Sequence, residues 1–347
     1  MSHAGLKIAI LYDTWDDGVE EPTAPEMPPP PGEQRPRPAH PPKLDREEIF
    51  EALVELGHKP SYLVVDGNDP SLLAVARCKA DLIFNLTESY AGDDTKDVHL
   101  AAYLELLDKP YTGAGPHGLY LAQDKSLAKK LFAFHNIRTP AFVVSYDGEL
   151  ENVRSIGFPL IVKPIAEDGS IGIEAESVVH GVTELKERIR HVHAEFDAPA
   201  LIEEYIEGRE IYAAILGDET PEALPLVEMD LSGLPRGVPR IASDQVKWGK
   251  GTAIYKRVRS RVVEDLDEKQ VARIQAQAVA AYRAVKLRDY GRIDLRLTPR
   301  GETYVLEANP NPWLSSGAEF ALAARASGRT YTDMLRDIVD LAMARYA

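Results

Sequence analysis

Four polar side chains lie at the start of one short apolar run and at the end of the next, towards the end of the sequence. The runs GRIDLRL and TYVLEAN flank the turn TPRGE, and this pattern predicts an antiparallel β-hairpin. Because the side chains of a strand alternate between its faces, Arg292 shares a face with Asp294, and Glu307 shares one with Asn309. A symmetric turn would bring all four within cross-strand distance. The prolines of NPNP follow and close the second strand, because proline donates no backbone hydrogen bond.

Asp294, Glu307 and Asn309 are suitable ligands for magnesium. Carboxylate and carboxamide oxygens suit Mg²⁺, which usually completes its octahedron with water and nucleotide phosphates. Arg292 beside them could hold a phosphoryl group or a carboxylate through two parallel hydrogen bonds. The alternative is an exposed hairpin whose polar residues simply alternate with apolar ones. We favour the metal site, because the polar residues cluster at the strand end while apolar residues fill the interior.

A second segment predicts phosphate binding. FPLIVKPIAEDGSIGIE contains a strand that ends at Lys163, followed by a loop with Gly169, Ser170 and Gly172. Glycines let backbone amides approach anionic oxygens closely, and a lysine adds a mobile positive charge. Lys125, in QDKSLAKK, supplies a second ammonium group upstream. The spacing differs from the Walker pattern, which excludes a P-loop.

A third segment predicts a nucleotide clamp. In ALIEEYIEGREIYAAILG two apolar runs are separated by Gly208. Glu203 can accept a hydrogen bond from an adenine amino group and Glu210 from ribose hydroxyls, although both could equally be exposed glutamates of a hinge. Further on, SDQVKWGKGTAIY is a glycine-punctuated loop whose Lys247 and Lys250 are suited to closing over phosphates.

The elements that position these residues alternate between strand and helix. KIAILYD, SYLVVDG and ADLIFNL predict strands of a mostly parallel sheet over residues 1–112, with a helix that ends at Gly57. HGLYLAQDKSLAKKLFAFHNI predicts one helix, and a further long helix lies near 267–287. The fold class is therefore α/β, with an α+β C-terminal part that contains the hairpin.

Residues 20–42 interrupt this pattern with ten of the chain's 25 prolines. Proline at this density favours an extended, polyproline-like loop. The segment follows the first strand, where such folds usually place a ligand-facing turn. Two interpretations remain open, a tolerated surface insertion and a lid over a substrate site.

The composition excludes several classes of protein. The chain has 347 residues, of which 44% are hydrophobic and 27% charged, as in an ordinary globular protein of two or three subdomains. A net charge of −15 disfavours a nucleic-acid partner. The one cysteine, Cys78, leaves no disulfide possible within the chain and indicates a reducing compartment. No apolar stretch suits a signal peptide or a membrane span, so we expect a cytoplasmic protein, with a homodimer left open.

Taken in order, DKSLAKK, LIVKP, EDGSIGI, LIEEYIEGRE, VKWGKG, GRIDLRL and LEANPNP resemble the motifs of the D-alanine–D-alanine ligase branch of the ATP-grasp superfamily. LELLDKPYTGAG resembles the segment that joins that family's first and second domains. The likeness covers residues 81–345. It implies a three-domain ATP-grasp fold: an N-terminal α/β substrate domain at 1–112, a central subdomain at 113–204, and a C-terminal subdomain with the metal and catalytic residues at 205–347.

The resemblance also implies a role for each candidate residue. ATP would lie between two antiparallel sheets, with Mg²⁺ (two ions, or Mn²⁺ in its place) on its phosphates. The implied contacts are Lys125 and Lys163 with phosphates, Glu203 with adenine, Glu210 with ribose, Ser170 in a mobile glycine loop, Lys247 over the γ-phosphate, Arg292 with the transition state, and Asp294, Glu307 and Asn309 with magnesium.

Three segments depart from the family's pattern. YDTWDDGVEEP stands where the family binds the ammonium of the first amino acid, NLTESYAGDDTKD replaces a histidine-glycine motif, and NPWLSSGAEF replaces a glycine- and methionine-rich segment. Glu88, Ser315 and Ser316 lie in the last two segments and are candidate substrate contacts. We therefore expect the nucleotide-binding residues of the family together with altered amino-acid pockets.

The expected function is ATP-dependent carboxylate–amine ligation through an acyl phosphate, with amino acids or similar small molecules as substrates. One alternative is D-alanyl-D-alanine synthesis for peptidoglycan. Another, from a different class, is a catalytically inactive nucleotide-binding regulatory protein. The presence of Asp294, Glu307 and Asn309 argues against this last alternative.

Overall fold

The computed structural model describes residues 5–14, 44–146, 148, 156–167, 169–247 and 257–347. The proline-rich segment at 20–42 and Lys250 lie outside these ranges. The two interpretations of that segment, and the role predicted for Lys250, therefore stay predictions.

The N-terminal part contains the predicted parallel sheet. Its strand order is β2-β1-β3, and both pairings are parallel. The middle strand carries the apolar run IAIL, which is buried on both faces as expected of such a sheet. The elements are β1 (Lys7–Asp13), α1 (Asp45–Glu55), β2 (Lys59–Val65), α2 (Asp69–Arg77), β3 (Leu82–Asn85) and α3 (Asp97–Leu106). Gly57 follows α1 with a φ of +82°, a left-handed conformation that glycine adopts without strain.

The single helix predicted from His117 to Ile137 is wrong. The structure has two helices there, α4 (Pro116–Gln123) and α5 (Lys125–Phe134). Asp124 separates them, because its backbone is extended and its carboxylate accepts hydrogen bonds from the N–H groups of Ser126 and Leu127. An aspartate in this position caps the next helix. It breaks the helical backbone without breaking the apolar periodicity that predicted a single helix.

The central sheet has four antiparallel strands in the order β4-β7-β5-β6. Helix α6 packs on strands β5, β6 and β7 of this sheet. The elements are β4 (Phe142–Ser145), β5 (Leu160–Pro164), β6 (Val178–Val179), α6 (Val182–Phe196) and β7 (Ala200–Glu204).

The C-terminal sheet is the largest, with the order β11-β10-β8-β12-β13 and β9 paired to β8. The predicted long helix is α8. The elements are β8 (Arg209–Leu216), β9 (Glu222–Ala223), β10 (Val227–Asp230), α7 (Asp244–Lys247), β11 (Arg259–Val262), α8 (Glu268–Ala284), β12 (Tyr290–Leu297), β13 (Thr303–Asn309), α9 (Glu319–Ala326) and α10 (Tyr331–Arg345). None of the helices in the described ranges is long and apolar enough to cross a membrane.

The hydrophobic cores are distributed unequally among the sheets. Two clusters each combine residues of the parallel sheet with residues of the C-terminal sheet and its helices. The central sheet has a separate small cluster around Val162, Ile189 and Ile202. The central sheet is therefore packed as its own unit, whereas the other two sheets share apolar side chains. The boundaries at residues 112 and 204 stay our proposal.

Candidate active site

The predicted antiparallel hairpin forms from β12 and β13, and it brings the four polar residues opposite one another. The strands are antiparallel, with Asp294 opposite Glu307 and Arg292 opposite Asn309. A register shift between Asp294 and Leu295 marks a bulge beside these residues. Bulges often re-aim side chains next to active sites, and this one accompanies the cluster of polar groups at the end of the hairpin.

Arg292 is held in one orientation by two neighbours. Its Nε and Nη2 atoms donate to the two carboxylate oxygens of Asp294, at 2.7 and 2.9 Å. Its guanidinium group also stacks over the ring of Tyr212, with 4.7 Å from Cζ to the ring centroid. Within the described residues Nη1 has no hydrogen-bond partner, which leaves one nitrogen for a ligand.

Glu307 is anionic because positive charges surround it. Burial alone would raise the pKa of its carboxyl, but the charges of Lys125, Lys163, Lys247 and Arg292 lower that pKa to about 2. The Nζ atom of Lys163 lies 3.9 Å from Oε2 of Glu307. Glu307 therefore stays ionised at any physiological pH, as a metal ligand requires.

The side chains at the end of the hairpin fit a hard cation. Asp294 and Glu307 contribute carboxylates, and the buried amide nitrogen of Asn309 has no hydrogen-bond partner within the described residues. An unsatisfied buried donor is costly and calls for an acceptor such as a phosphate oxygen, whereas the amide oxygen of Asn309 is the atom that would bind the cation. The described ranges contain no cluster of three His, Cys, Asp or Glu side chains suited to a metal. The set at the hairpin instead combines two carboxylates with one carboxamide.

Buried lysines and glutamates alternate from the central sheet to the hairpin. Glu203, 1% exposed, lies between the ammonium groups of Lys129 and Lys163, at 3.3 and 3.1 Å. Lys163 then approaches Glu307, so the chain of charges crosses from β7 and β5 to β13. Glu203 is paired with lysines in this structure, and its predicted contact with adenine stays a prediction.

The sequence prediction missed Lys129. This lysine is fully buried, donates to the hydroxyl of Thr139 at 3.0 Å, and balances Glu203. Burial lowers the pKa of its ammonium group to about 8, although the charge of Glu203 opposes this shift. A signal was present in DKSLAKK, because Lys129 lies one helical turn after Lys125 and therefore on the same face of α5.

Glu210 is also paired within the protein. Its carboxylate lies 2.8 Å from Nη2 of Arg296 and accepts a hydrogen bond from the hydroxyl of Tyr212 at 3.2 Å. Arg296 is only 4% exposed and was not among the predicted site residues. Tyr212 contacts both Glu210, which its hydroxyl binds, and Arg292, which stacks over its ring. Burial raises the pKa of Tyr212 well above its usual value. Contact of Glu210 with ribose stays a prediction.

The glycine-rich loop has three residues with left-handed backbone. Gly169, Ser170 and Gly172 have φ values of +62°, +70° and +71°. A Cβ atom on Gly172 would lie 2.8 Å from the ring of Phe196 and from the ring of Pro164, so only glycine fits. Ser170 is buried in a conformation that non-glycine residues rarely adopt, which often marks a functional loop. Lys125 donates to the carbonyl of Glu167, at the loop's start, over 2.5 Å.

Lys247 is the last residue of α7 and contributes its charge to the same site. Its ammonium group is among those that lower the pKa of Glu307 and that counteract the rise, caused by burial, in the pKa of Asp294. The structure therefore brings Lys125, Lys163 and Lys247 around the end of the hairpin.

Residues 130–340 match the family model of the D-Ala–D-Ala ligase C-terminus. The uncharacterized protein y4sG of Sinorhizobium fredii is 31% identical over 91% of this chain and 93% of its own length. D-alanine–D-alanine ligase of Bordetella petrii is 32% identical over 81% of both chains. The chain belongs to the D-alanine–D-alanine ligase family.

Structural comparison agrees with this membership. The crystal structure of D-alanine–D-alanine ligase from Bacillus anthracis complexed with ATP has a TM-score of 0.73, at 21% identity, and covers 98% of each chain. The chain therefore has the ATP-grasp fold that the sequence motifs predicted. As a member of the D-alanine–D-alanine ligase family, it is an ATP-dependent ligase that forms C–N bonds, and ATP and Mg²⁺ are general to that family.

The segments predicted to depart from the family's motifs contact other parts of the chain. Asp13, at the end of β1, accepts hydrogen bonds from the backbone N–H groups of Glu88 and Ser89, both at 2.8 Å. Ser316 donates its N–H and its hydroxyl to the two oxygens of Glu48 on α1, at 2.6 and 2.8 Å. Ser316, a candidate substrate contact, therefore binds a carboxylate that belongs to the chain itself.

The other two candidates for substrate contacts are less defined by the structure. Ser315 is buried beside Leu314, and the side chain of Glu88 is exposed at the carboxyl end of the parallel sheet. Glu319, which begins α9 directly after this loop, is close enough to the hairpin for its charge to act on Arg292. Contact of Ser315, Ser316 or Glu88 with a substrate stays a prediction.

Proposed function

We propose that this protein joins a carboxylate and an amine, both from amino acids or amino-acid-like molecules, through an acyl-phosphate intermediate. The observation that carries the proposal is the chain of buried charges that links Glu203, Lys163 and Glu307 across two sheets. It places ammonium groups next to ionised carboxylates, which is the arrangement needed to bind both a polyphosphate and its cation.

ATP would bind in the cleft between the central and C-terminal sheets. Lys125, Lys163 and Lys247 would contact its phosphates, and the amides of Gly169 and Ser170 would approach the same oxygens. Because Lys163 is now balanced by Glu203 and Glu307, bound phosphate would replace part of an existing ion pair. The site therefore need not bury a new unpaired charge.

Asp294, Glu307 and Asn309 would hold magnesium, with two ions expected and Mn²⁺ as a possible substitute. When bound, the metal would neutralise charge that develops on the transferring phosphoryl group. The residues of the chain prepare this site in advance: positive charges keep Glu307 ionised, and Arg292 fixes the carboxylate of Asp294.

The reaction would proceed in two steps. A substrate carboxylate oxygen attacks the γ-phosphorus of ATP, the bond to the bridging oxygen breaks, and ADP leaves. The amine nitrogen of the second substrate then attacks the acyl carbon, loses a proton and expels inorganic phosphate. Nη1 of Arg292, which has no hydrogen-bond partner among the described residues, would stabilise the oxyanion that forms at that carbon. Lys247 would lie over the γ-phosphate, and water must be excluded there because it would otherwise hydrolyse the acyl phosphate.

We propose a preferred substrate other than D-alanine. Asp13 binds the loop at Glu88 and Ser89, and Ser316 binds Glu48, so groups beside the parallel sheet are already engaged. These contacts support altered amino-acid pockets. D-alanyl-D-alanine synthesis is the second candidate, and the names of relatives such as the Bordetella petrii enzyme favour it. A third possibility, an inactive nucleotide-binding protein, is disfavoured by the complete set at the hairpin.

The test is ADP release with single amino acids and with pairs, combined with mass spectrometry of the product. Ligation predicts ADP release that depends on substrate, and a product lighter by one water than the two substrates together. Tight ATP binding without turnover for any pair would instead support an inactive nucleotide-binding protein. The variant Glu307→Gln provides the background rate.

A further inference from the structure

Arg188 of α6 binds the end of the glycine-rich loop from behind. Its Nη2 atom donates to the carbonyl of Gly172, and its Nη1 atom donates to Oε2 of Glu174, both at 2.7 Å. The Arg188 side chain is 6% exposed, so its bond to the carbonyl of Gly172 is largely protected from water, whereas Glu174 is half-exposed. Charge-assisted hydrogen bonds in such surroundings are stronger than exposed ones.

The loop needs such support because its backbone is strained. Ser170 has a left-handed conformation without being glycine, and Gly172 has no room for a side chain. Strained residues persist only where contacts with the surrounding structure stabilise them by more than the strain costs. Lys125 binds the carbonyl of Glu167 at the start of the loop, and Arg188 binds Gly172 at its end.

The same loop contacts the segment that carries Lys247. The carbonyl of Ile173, directly after Gly172, accepts a hydrogen bond from the N–H of Asp244 at 3.0 Å. Asp244 is the first residue of α7, and Lys247 is its last. Arg188 therefore fixes a carbonyl one residue away from the bond that joins the glycine-rich loop to the lysine-bearing helix.

We infer that Arg188 is a positioning residue that sets the geometry of the phosphate-binding elements. It acts through Gly172 and Glu174, which orient the amides of Gly169 and Ser170, and through Ile173, which holds α7. The inference rests on the proposed binding of ATP phosphates at this loop. Loss of Arg188 therefore weakens binding of the polyphosphate and leaves the contacts of the base and ribose unchanged.

The experiment compares ATP with AMP by titration calorimetry on the full chain. Arg188→Met removes both hydrogen bonds while keeping an unbranched side chain in the buried position. We expect the Kd for ATP to rise about tenfold or more, and the Kd for AMP to change less than about twofold. Arg190→Met is the matched control, because Arg190 is exposed on the same helix. It leaves both constants unchanged.

Two further variants separate positioning from general stability. Arg188→Lys retains a single donor and recovers part of the ATP affinity. Glu174→Gln weakens one of the two contacts at a half-exposed side chain, so it folds even if Arg188→Met does not, and it produces a smaller loss in the same direction. Melting temperatures are recorded for all variants, because a purely structural role lowers them without separating ATP from AMP.

Equal loss of ATP and AMP affinity in the variants, or no loss of either, would overturn the role of Arg188. This outcome is distinct from failure of the proposed function, in which the wild-type protein itself shows no preference for ATP over AMP.

Discussion

The proposed nucleotide side and the proposed amino-acid side of the site are held together by different interactions. On the nucleotide side, buried side chains pair with each other across sheets, as Glu203 does with Lys129 and Lys163. On the amino-acid side, carboxylates bind backbone N–H groups of loops, as Asp13 does at Glu88 and Ser89.

The difference explains how one side can change while the other stays constant. A buried side chain that pairs with another depends on the identity of its partner, and removing one member leaves an uncompensated charge. A carboxylate that binds backbone N–H groups accepts any side chains on that loop. The nucleotide side is therefore constrained in sequence, whereas the amino-acid side is free to acquire new pockets.

The largest effect is expected from Glu307→Gln. The amide keeps the size of the side chain but removes the charge that Lys163 and the proposed metal require. Turnover should fall on the order of 10³-fold or more, while the fold is retained. Steady-state ADP release at limiting magnesium measures this. Glu302→Gln, at an exposed position on the turn before β13, is the control, and near-normal turnover of Glu307→Gln would refute the metal assignment.

Arg296→Met tests whether buried pairing stabilises the nucleotide side. The change leaves Glu210 as a buried charge without its partner, which should lower the free energy of unfolding by about 3–5 kcal/mol. Arg138→Met breaks the exposed ion pair with Glu302 and should have a much smaller effect. Denaturant unfolding of both variants checks the difference, and equal losses would contradict the contrast between buried and exposed pairs.

Lys129→Met tests the same side through pH. Lys129 loses its proton near pH 8 in the fold but near its usual value of 10.5 when unfolded. Between these values the unfolded chain binds more protons, so rising pH stabilises the wild type relative to the variant by up to about 3 kcal/mol. Unfolding measured at about pH 7.5 and about pH 10 should show this gain. Parallel curves for the two proteins would show that Lys129 titrates normally.

The smallest effect is expected on the amino-acid side, from Glu48→Gln. One oxygen acceptor for Ser316 is replaced by an amide nitrogen, which should cost about 1 kcal/mol of stability. The KM for amino-acid substrates should change several-fold without a change in the KM for ATP. Glu55→Gln is the matched control, because Glu55 on the same helix accepts from Thr332 away from the cleft. An equal change in the KM for amino-acid substrates in both variants would show that α1 affects this KM only through general stability of the fold.

The sequence was sufficient for features that depend on short-range pattern. The period-two alternation and the turn TPRGE predicted the hairpin, and its register pairs Asp294 with Glu307 as expected. The apolar run of β1 predicted a buried strand of a parallel sheet in the same way, and in the structure it is the middle strand. These features depend on neighbours within a few residues, which a sequence displays directly.

Features that depend on distant residues were missed. The burial of Lys129 and Arg296 follows from pairing with Glu203 and Glu210, which are far away in the sequence. The pairing of Arg292 with Asp294 was not predicted either, although the two were expected on one face. The division between α4 and α5 was missed because the capping role of Asp124 competes with an unbroken helical pattern.

The most direct test of the central claim is a comparison of kcat/KM across a panel of D- and L-amino-acid pairs, measured by phosphate release. We propose that the nucleotide site uses the residues expected from the family's motifs and that the amino-acid pockets are altered. We therefore predict robust turnover with at least one pair that does not contain D-alanine in both positions, at an efficiency above that for D-alanine alone. D-alanine as the best substrate in both positions, with the full efficiency of an ordinary ligase, would contradict the proposal.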